Sequence, residues 1–227
     1  PRRSTAAIQR MIGGNMLKLH GYYRSSASFR VRIALHLKGL AFETVSHHLR
    51  RGEQRAPAFL ALNPQGFVPA LETDGGVLVQ SLAIMEWLDE THPAPPFLPS
   101  DPAGRARVRA LSQVIACDIH PIDNLRVLRY LRQEMGQDEA AVQGWYNHWI
   151  AEGFAAFEGM LQQGGTGRFC HGDTPGLADI CLVPQIFNSR NYKLDLSPYP
   201  TISRIFDACM ALPAFVAATP ERQPDAE

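Results

Sequence analysis

Residues 92–101, His-Pro-Ala-Pro-Pro-Phe-Leu-Pro-Ser-Asp, constrain the fold more than any other stretch. Prolines at 93, 95, 96 and 99 deny a helix its hydrogen bonds and a sheet its ladder. No hydrophobic period runs through the segment, so it reads as a linker between two differently patterned halves. Ahead of it, two-residue alternation and helical spacing take turns; behind it, only helical spacing occurs. The chain therefore reads as α/β followed by all-α. Its 227 residues, 45% hydrophobic, suit one large domain or two small ones. The predicted boundaries are 1–15 as an upstream extension or tag remnant, 16–91 as the α/β domain, 92–101 as the linker and 102–227 as the helical domain. Arg2, Arg3, Ser4, Thr5 and Arg10 also leave open a transit peptide in the first segment.

In the first half, Leu17 and Leu19 alternate with Lys18 and His20 and end at Gly21, a strand. Phe29, Ile33 and Leu37 then recur every four residues, a helix, with Ser25, Ser26 and Ser28 at the junction. A helix N-terminus has unpaired N–H groups and partial positive charge, so these hydroxyls either cap the helix or donate to a bound anion. Lys38-Gly39 stops the helix, and Phe42 and Val45 begin a second strand, giving a βαβ unit. His47-His48 does not read as a metal pair, since neighbours on a strand face opposite ways. Pro57–Leu62 is a short helix halted by Asn63-Pro64. Pro69 heads the third strand, where it cannot donate, which suggests a cis Val68–Pro69 bond. Such a turn would free the Val68 main chain to pair with an extended ligand along the sheet edge. Asp74-Gly75-Gly76 makes a hairpin to Val77–Val79. Gln80-Ser81 opens the next helix and offers a second N-terminus, for a carboxylate or for capping alone.

In the second half, Pro102 starts a long helix carrying Val108, Leu111, Ile115, Ile119, Ile122, Leu125 and Leu128. Pro121 is expected to kink it where Asp118, His120, Asn124 and Arg126 gather. A helix over Glu139–Gln162 leads to Gly164-Gly165-Thr166-Gly167, and the helix Leu177–Ser189 is expected at the domain centre. Gly176-Leu177-Ala178-Asp179 supplies the carboxylate of a capping box without the hydroxyl, so Gly176→Thr is expected to stabilise it. After Ser197-Pro198-Tyr199-Pro200 comes a last amphipathic helix, and Pro224–Glu227 reads as frayed. Lys plus Arg and Asp plus Glu both total 22, so no global field recruits nucleic acid or a membrane surface. The four cysteines form no C-x-x-C pair, which suits a reducing, cytoplasmic setting, and no apolar run spans a bilayer.

The β-α-β-α-β-β-α order, with proline before the third strand and Gln-Ser before the last helix, is thioredoxin-like and resembles the N-terminal domain of glutathione transferases. More narrowly, Arg24-Ser25-Ser26-Ala27-Ser28-Phe29-Arg30-Val31-Arg32-Ile33-Ala34-Leu35, Leu62-Asn63-Pro64, Val68-Pro69 and Gln80–Ile84 resemble the zeta class, the maleylacetoacetate isomerase family. Cys117–Pro121, Gly172-Asp173-Thr174, Leu182–Gln185 and Leu194–Pro200 extend the likeness from residue 16 to about 225. The Cys117–Pro121 and Asn124-Leu125-Arg126 contexts also resemble bacterial glutathione-dependent maleylpyruvate isomerases.

The resemblance implies glutathione as cofactor, with Gln80 and Ser81 holding its γ-glutamyl carboxylate. The Val68 main chain, set by cis Pro69, would pair with the cysteinyl backbone, and Ser25 or Ser26 would meet the sulfur. Ionising the thiol at neutral pH means lowering a pKa of about 8.5 by roughly two units, about 2.7 kcal/mol. A helix N-terminus (up to about 2 kcal/mol) and a hydrogen bond to a charged acceptor (about 1.5–3) together suffice. Zeta enzymes isomerise a cis double bond conjugated to carbonyl and carboxylate groups by reversible thiol addition. Such a dicarboxylate substrate implies cations, for which Arg24, Arg126 and Arg190, with Asn124 beside them, are the candidates.

Two departures stand out: Ala27 replaces the usual cysteine, and Asn191 replaces the usual arginine, leaving Arg190 one residue early. The resemblance leaves maleylacetoacetate and maleylpyruvate both open. The other readings are a transferase conjugating or dehalogenating small electrophiles, and a non-catalytic interaction domain, against which Ser26 and Gln80-Ser81 argue. A cytoplasmic homodimer, no metal, no nucleic-acid partner and no membrane partner complete what is expected.

Overall fold

The structure, a computed structural model, describes residues 16–227; the expected upstream extension lies outside them. The chain divides into two compact units, one running to Pro95 and taking back Pro213–Glu227, the other Pro96–Leu212. The division falls within the proline-rich segment, whose Ala94–Pro95 bond is cis.

In the first unit, β1 (Leu17–Gly21), α1 (Ser26–Leu37), β2 (Phe42–Ser46), α2 (Pro57–Leu62), β3 (Ala70–Thr73), β4 (Gly76–Val79) and α3 (Ser81–Thr91) follow in order. The sheet order is β2-β1-β3-β4. β1 runs parallel to β2, with Leu17 opposite Phe42, and antiparallel to β3, with Leu19 opposite Leu71. A two-residue turn, Asp74-Gly75, joins β3 to β4 so that Thr73 pairs with Gly76. Leu19 and Leu71 lie in the core, while His20, on the other face of β1, packs against Phe59 of α2. α1 is buried almost throughout: Phe29, Val31, Ile33, Ala34 and Leu35 surround the helix and leave no solvent face.

One expectation needs correcting here. β3 is flanked by β1 and β4, so a ligand cannot add to it along a sheet edge. What lies open to pairing is the segment ahead of the strand, where Val68–Pro69 is cis and the ladder has not yet begun.

The second unit opens with α4 (Pro102–Gln113), capped by Asp101, whose carboxylate accepts from Gly104 N at 2.7 Å. The expected kink is instead a break. The helix loosens into a π-helical stretch over Val114–Ile119, where His120 N reaches back to Ile115 O. Proline at 121 brings no N–H to continue the ladder, so the chain turns and Asn124 caps a new helix, α5 (Leu125–Gln133). α6 (Glu139–Gln162) begins at the cap Asp138. α7 (Leu177–Asn191) is central, with residues 177–186 buried without interruption. α8 (Pro200–Met210) begins on the Glu158 carboxylate, which accepts from Thr201 N and Ile202 N at 2.9 Å each.

Gly176 also departs from expectation. Asp179 bonds back to Gly176 N at 2.8 Å as the half capping box requires, and to Cys170 N as well. A Cβ on residue 176, however, would stand 2.8 Å from the Phe97 carbonyl oxygen, which accepts from Leu177 N. Glycine is there for close approach, and a threonine would collide with main chain.

The last residues belong to the first unit rather than to the helical one. After α9 (Pro213–Ala217), which packs on α1, Asp225 accepts from Tyr23 N and Ser46 Oγ, and Glu227 meets Arg51 and His48. The two bonds of Asp225 tie the segment to the first unit, while the ion pairs of exposed Glu227 add little. The expected 102–227 domain therefore gives up 213–227 to the first unit.

Candidate active site

The serine turn is held by its own backbone. Ser25 N donates to Tyr22 O at 3.0 Å, and Ser25 Oγ, as the N-cap, accepts from Ser28 N at 3.2 Å. Capping is thus real, yet an oxygen that accepts a hydrogen bond still has its proton to give. Ser25 is half-buried, Ser26 is nearly enclosed, and Ser28 is fully enclosed against Gly21. Arg24 is exposed beside them.

At the head of α3 the N-cap is Gln80, not Ser81, so the Ser81 hydroxyl is not spent on capping. Ser81 is 6% exposed, and its oxygen accepts from Nη1 of Arg30, itself 1% exposed, at 3.2 Å. A buried guanidinium therefore donates to a hydroxyl that still has its own proton to give. Gln80 adopts φ 70°, ψ 117°, a conformation that costs a non-glycine residue about 1–3 kcal/mol and tends to collect at ligand sites. Its side-chain amide donates to Gln65 Oε1 at 2.8 Å. Val68 packs in one cluster with Tyr22, Phe59 and Ala70. Tyr22 to Val68 and Arg30 to Ser81 thus tie the serine turn, the cis-proline segment and the α3 N-terminus together.

Below the turn, Glu72, His20 and His47 form a chain: His20 bonds Glu72 through Nε2 and His47 through Nδ1, the latter at 2.8 Å. The contact with His20 draws the Glu72 carboxyl down, while burial, then His20, pulls the His47 imidazole down. β2 ends at Ser46, so His47 and His48 are not strand neighbours; His48 caps a 3-10 turn at Arg51 N. Among the described residues no group of three or more His, Cys, Asp or Glu could hold a metal.

In the second unit, Asn124 Oδ1 accepts from Arg126 N at 3.1 Å and Val127 N at 3.4 Å, and Arg126 is exposed in the first turn of α5. Arg190, exposed at the end of α7, stacks its guanidinium 4.1 Å over the Phe206 ring of α8. A cavity of about 330 Å³ is lined by Arg107, Leu111, Met160 and Gln163–Gly165, but Arg107 is already engaged with Cys170 O, Met160 O and Thr166 Oγ1.

Arg30, Arg32, Asp123 and Asp225 were missed at the sequence level. The signal for the arginines was present, since apolar residues all round α1 leave Arg30 and Arg32 nowhere to be but inside. Arg32 donates to Ala218 O, Tyr23 O and Tyr22 O, and burial brings its pKa down to about 10. Asp123, 5% exposed with neither carboxylate oxygen bonded, is pushed up to about 8 by burial.

The model of the glutathione S-transferase N-terminal domain matches residues 19–96, and that of the C-terminal domain matches 143–215. The chain is 50% identical over 210 residues to a maleylpyruvate isomerase of a Ralstonia species, covering 92% of this chain and 99% of the relative. It is 49% identical over 212 residues to the maleylacetoacetate isomerase of Pseudomonas aeruginosa, covering 92% and 98%. Among solved structures, a holo maleylpyruvate isomerase, described as a bacterial zeta-class glutathione S-transferase, superposes with TM-score 0.91 at 50% identity, covering 92% of this chain and all of that one. The maleylacetoacetate isomerase of Anaeromyxobacter dehalogenans with glutathione in its active site gives TM-score 0.85 at 49% identity, covering 93% and 98%. Among the described residues no helix is long and apolar enough to cross a membrane.

Proposed function

The chain belongs to the glutathione S-transferase family, and from that membership we propose that it is a glutathione-dependent cis–trans isomerase of maleyl keto acids. The observation that carries the site assignment is the Arg30–Ser81 contact, a hydroxyl backed by a buried cation at a helix N-terminus, which fits a carboxylate. Glutathione fits the remaining features as well. Gln80-Ser81 would hold its γ-glutamyl carboxylate, and the main chain of Val68, ahead of the ladder, would pair with its peptide backbone.

Glutathione, when bound, supplies the thiol that adds to and leaves the olefin. The chain's own part is to keep that sulfur ionised and to hold the substrate. Ser25 is the donor we assign to the sulfur: its oxygen takes the Ser28 N–H, which polarises the O–H outward, and the α1 N-terminus adds its partial charge. Ser26, at the first helical position, contributes its N–H to the same end. Arg24, exposed beside the turn, offers a planar fork to a substrate carboxylate, and Arg126 is the second arginine we assign to carboxylate binding.

One observation favours a second reading. Arg190 stacks on Phe206, and if that contact holds it away from substrate, fewer cations serve a dianion, which suits conjugation of an electrophile without carboxylates. Proton NMR of maleylpyruvate and maleylacetoacetate incubated with glutathione and the protein separates the two. Isomerisation gives the trans, fumaryl product with glutathione unchanged, and conjugation consumes glutathione. We further propose a cytoplasmic homodimer, a reading supported by the family resemblance and by Val77, an apolar side chain exposed on edge strand β4.

A further inference from the structure

The peptide groups entering the serine turn are held by Arg32, in the α1 helix that follows, and by Asp225, far away in sequence. Asp225 Oδ2 accepts from Tyr23 N at 3.1 Å and from Ser46 Oγ at 2.6 Å. On the other side of the same residue, Arg32 Nη2 donates to Tyr23 O at 3.0 Å, and Nη1 reaches Tyr22 O at 3.4 Å. Arg32 Nε donates to Ala218 O at 3.0 Å, so one buried guanidinium holds both the turn and the segment that delivers Asp225. Tyr22 O is also the acceptor for Ser25 N, which makes these bonds continuous with the N-cap of α1.

Both polar groups of the Tyr23 main chain are thereby clamped, two residues ahead of the hydroxyl assigned to the sulfur. A carboxylate at this position is not the least costly way to satisfy one N–H and one hydroxyl, since Asp225 Oδ1 is buried without a partner. What a carboxylate adds is a strong, short-range hold on two donors from different strand ends at once. A hydrogen bond weakens steeply once its donor swings well off the acceptor's line, so the aim of the Ser25 O–H depends on that hold.

We propose that Asp225 is a positioning residue for the isomerase: together with Arg32 it straps the C-terminal segment across Tyr22-Tyr23 and so sets the aim of the serine turn at the glutathione sulfur. The inference rests on the function proposed above. The strap acts on the sulfur end alone, because the Arg30–Ser81 contact involves neither Asp225 nor the tail.

The test compares Asp225→Ala and Asp225→Asn with Ser25→Ala and with a control at exposed Glu221, Glu221→Ala. Amide exchange at Tyr23 is read in the protein without glutathione, and thiolate absorbance of bound glutathione is titrated against pH. For Asp225→Ala, Tyr23 exchange should quicken about tenfold or more. The bound thiol should titrate about half to one unit higher, and kcat should fall roughly three- to tenfold. The KM for glutathione should stay within about twofold, since its carboxylate site is untouched. Asp225→Asn, which keeps one acceptor, should fall between, and it carries the test if the alanine variant does not fold. Unchanged Tyr23 exchange overturns the strap. Faster exchange with an unmoved thiol titration, where Ser25→Ala does move it, leaves the strap purely structural and overturns its positioning role. If Ser25→Ala leaves the titration unmoved too, the assignment of the sulfur site has failed, and the positioning role falls with it.

Discussion

Replacing Ser81 by alanine separates a ligand-binding hydroxyl from a merely structural one. Gln80 is the N-cap of α3, so the substitution removes no cap, and alanine is a good first-turn residue. Two interactions are lost. In the unliganded protein Arg30 Nη1 loses the acceptor it meets at 3.2 Å. Because Arg30 is 1% exposed, water cannot replace that acceptor, and the first unit should lose about 1–2 kcal/mol. With glutathione, the carboxylate loses a hydrogen bond worth about 1.5–3 kcal/mol to a charged acceptor, which weakens binding roughly 10- to 150-fold. Ser81→Thr keeps the hydroxyl and should retain most of the affinity. Titration calorimetry reads the binding and urea melts read the stability. Affinity within twofold of the original in a folded Ser81→Ala protein would remove the carboxylate site from α3.

Three further outcomes follow from particular contacts. Asp123, with its folded pKa raised by burial to about 8, holds a proton that the unfolded chain releases near pH 4, so its contribution is full at low pH and is lost as pH rises through about 8. Urea melts of Asp123→Asn should therefore gain on the original protein between pH 5 and pH 8, by at most about 1.4 kcal/mol per pH unit; a constant difference would show the carboxyl to be solvated. Gly176→Thr should destabilise by roughly 1–2 kcal/mol, because relieving a 2.8 Å approach to Phe97 O costs more than a cap hydroxyl adds over glycine; a higher melting temperature would contradict this. Arg24→Ala and Arg126→Ala should each slow a dianionic substrate about 30- to 1,000-fold with little effect on a neutral electrophile, whereas Arg190→Ala should change either by less than about threefold; equal losses on both substrate types would refute the carboxylate assignment.

Local chemistry made much of this legible in the sequence. α6 runs over Glu139–Gln162 as read, because Asp138 is a strong cap and glycines follow its end. The Val68–Pro69 turn and the Asp74-Gly75 hairpin likewise declare themselves through residues with narrow backbone preferences. Strand order does not. Nothing local in β3 says that it will lie between β1 and β4, so its sequence alone does not exclude an edge position. At Pro121 the apolar spacing of Ile119, Ile122 and Leu125 continues across the break, and periodicity masked the missing N–H. The burial of Arg30 and Arg32 is not carried by the apolar stripe Phe29-Ile33-Leu37; Val31, Ala34 and Leu35 on the other sides of the helix are what bury them. Asp225 meets Tyr23 across some two hundred residues, and no local pattern encodes a contact of that range.

The most direct test of the account is turnover at limiting glutathione. With the protein at low micromolar concentration, glutathione at about one hundredth of the maleyl keto acid, and the free thiol followed throughout, the cis substrate should convert completely to its trans isomer. The full amount of glutathione should be recovered unmodified. Conversion that stops when the glutathione is exhausted, with a glutathione adduct as the product, would contradict the isomerase assignment.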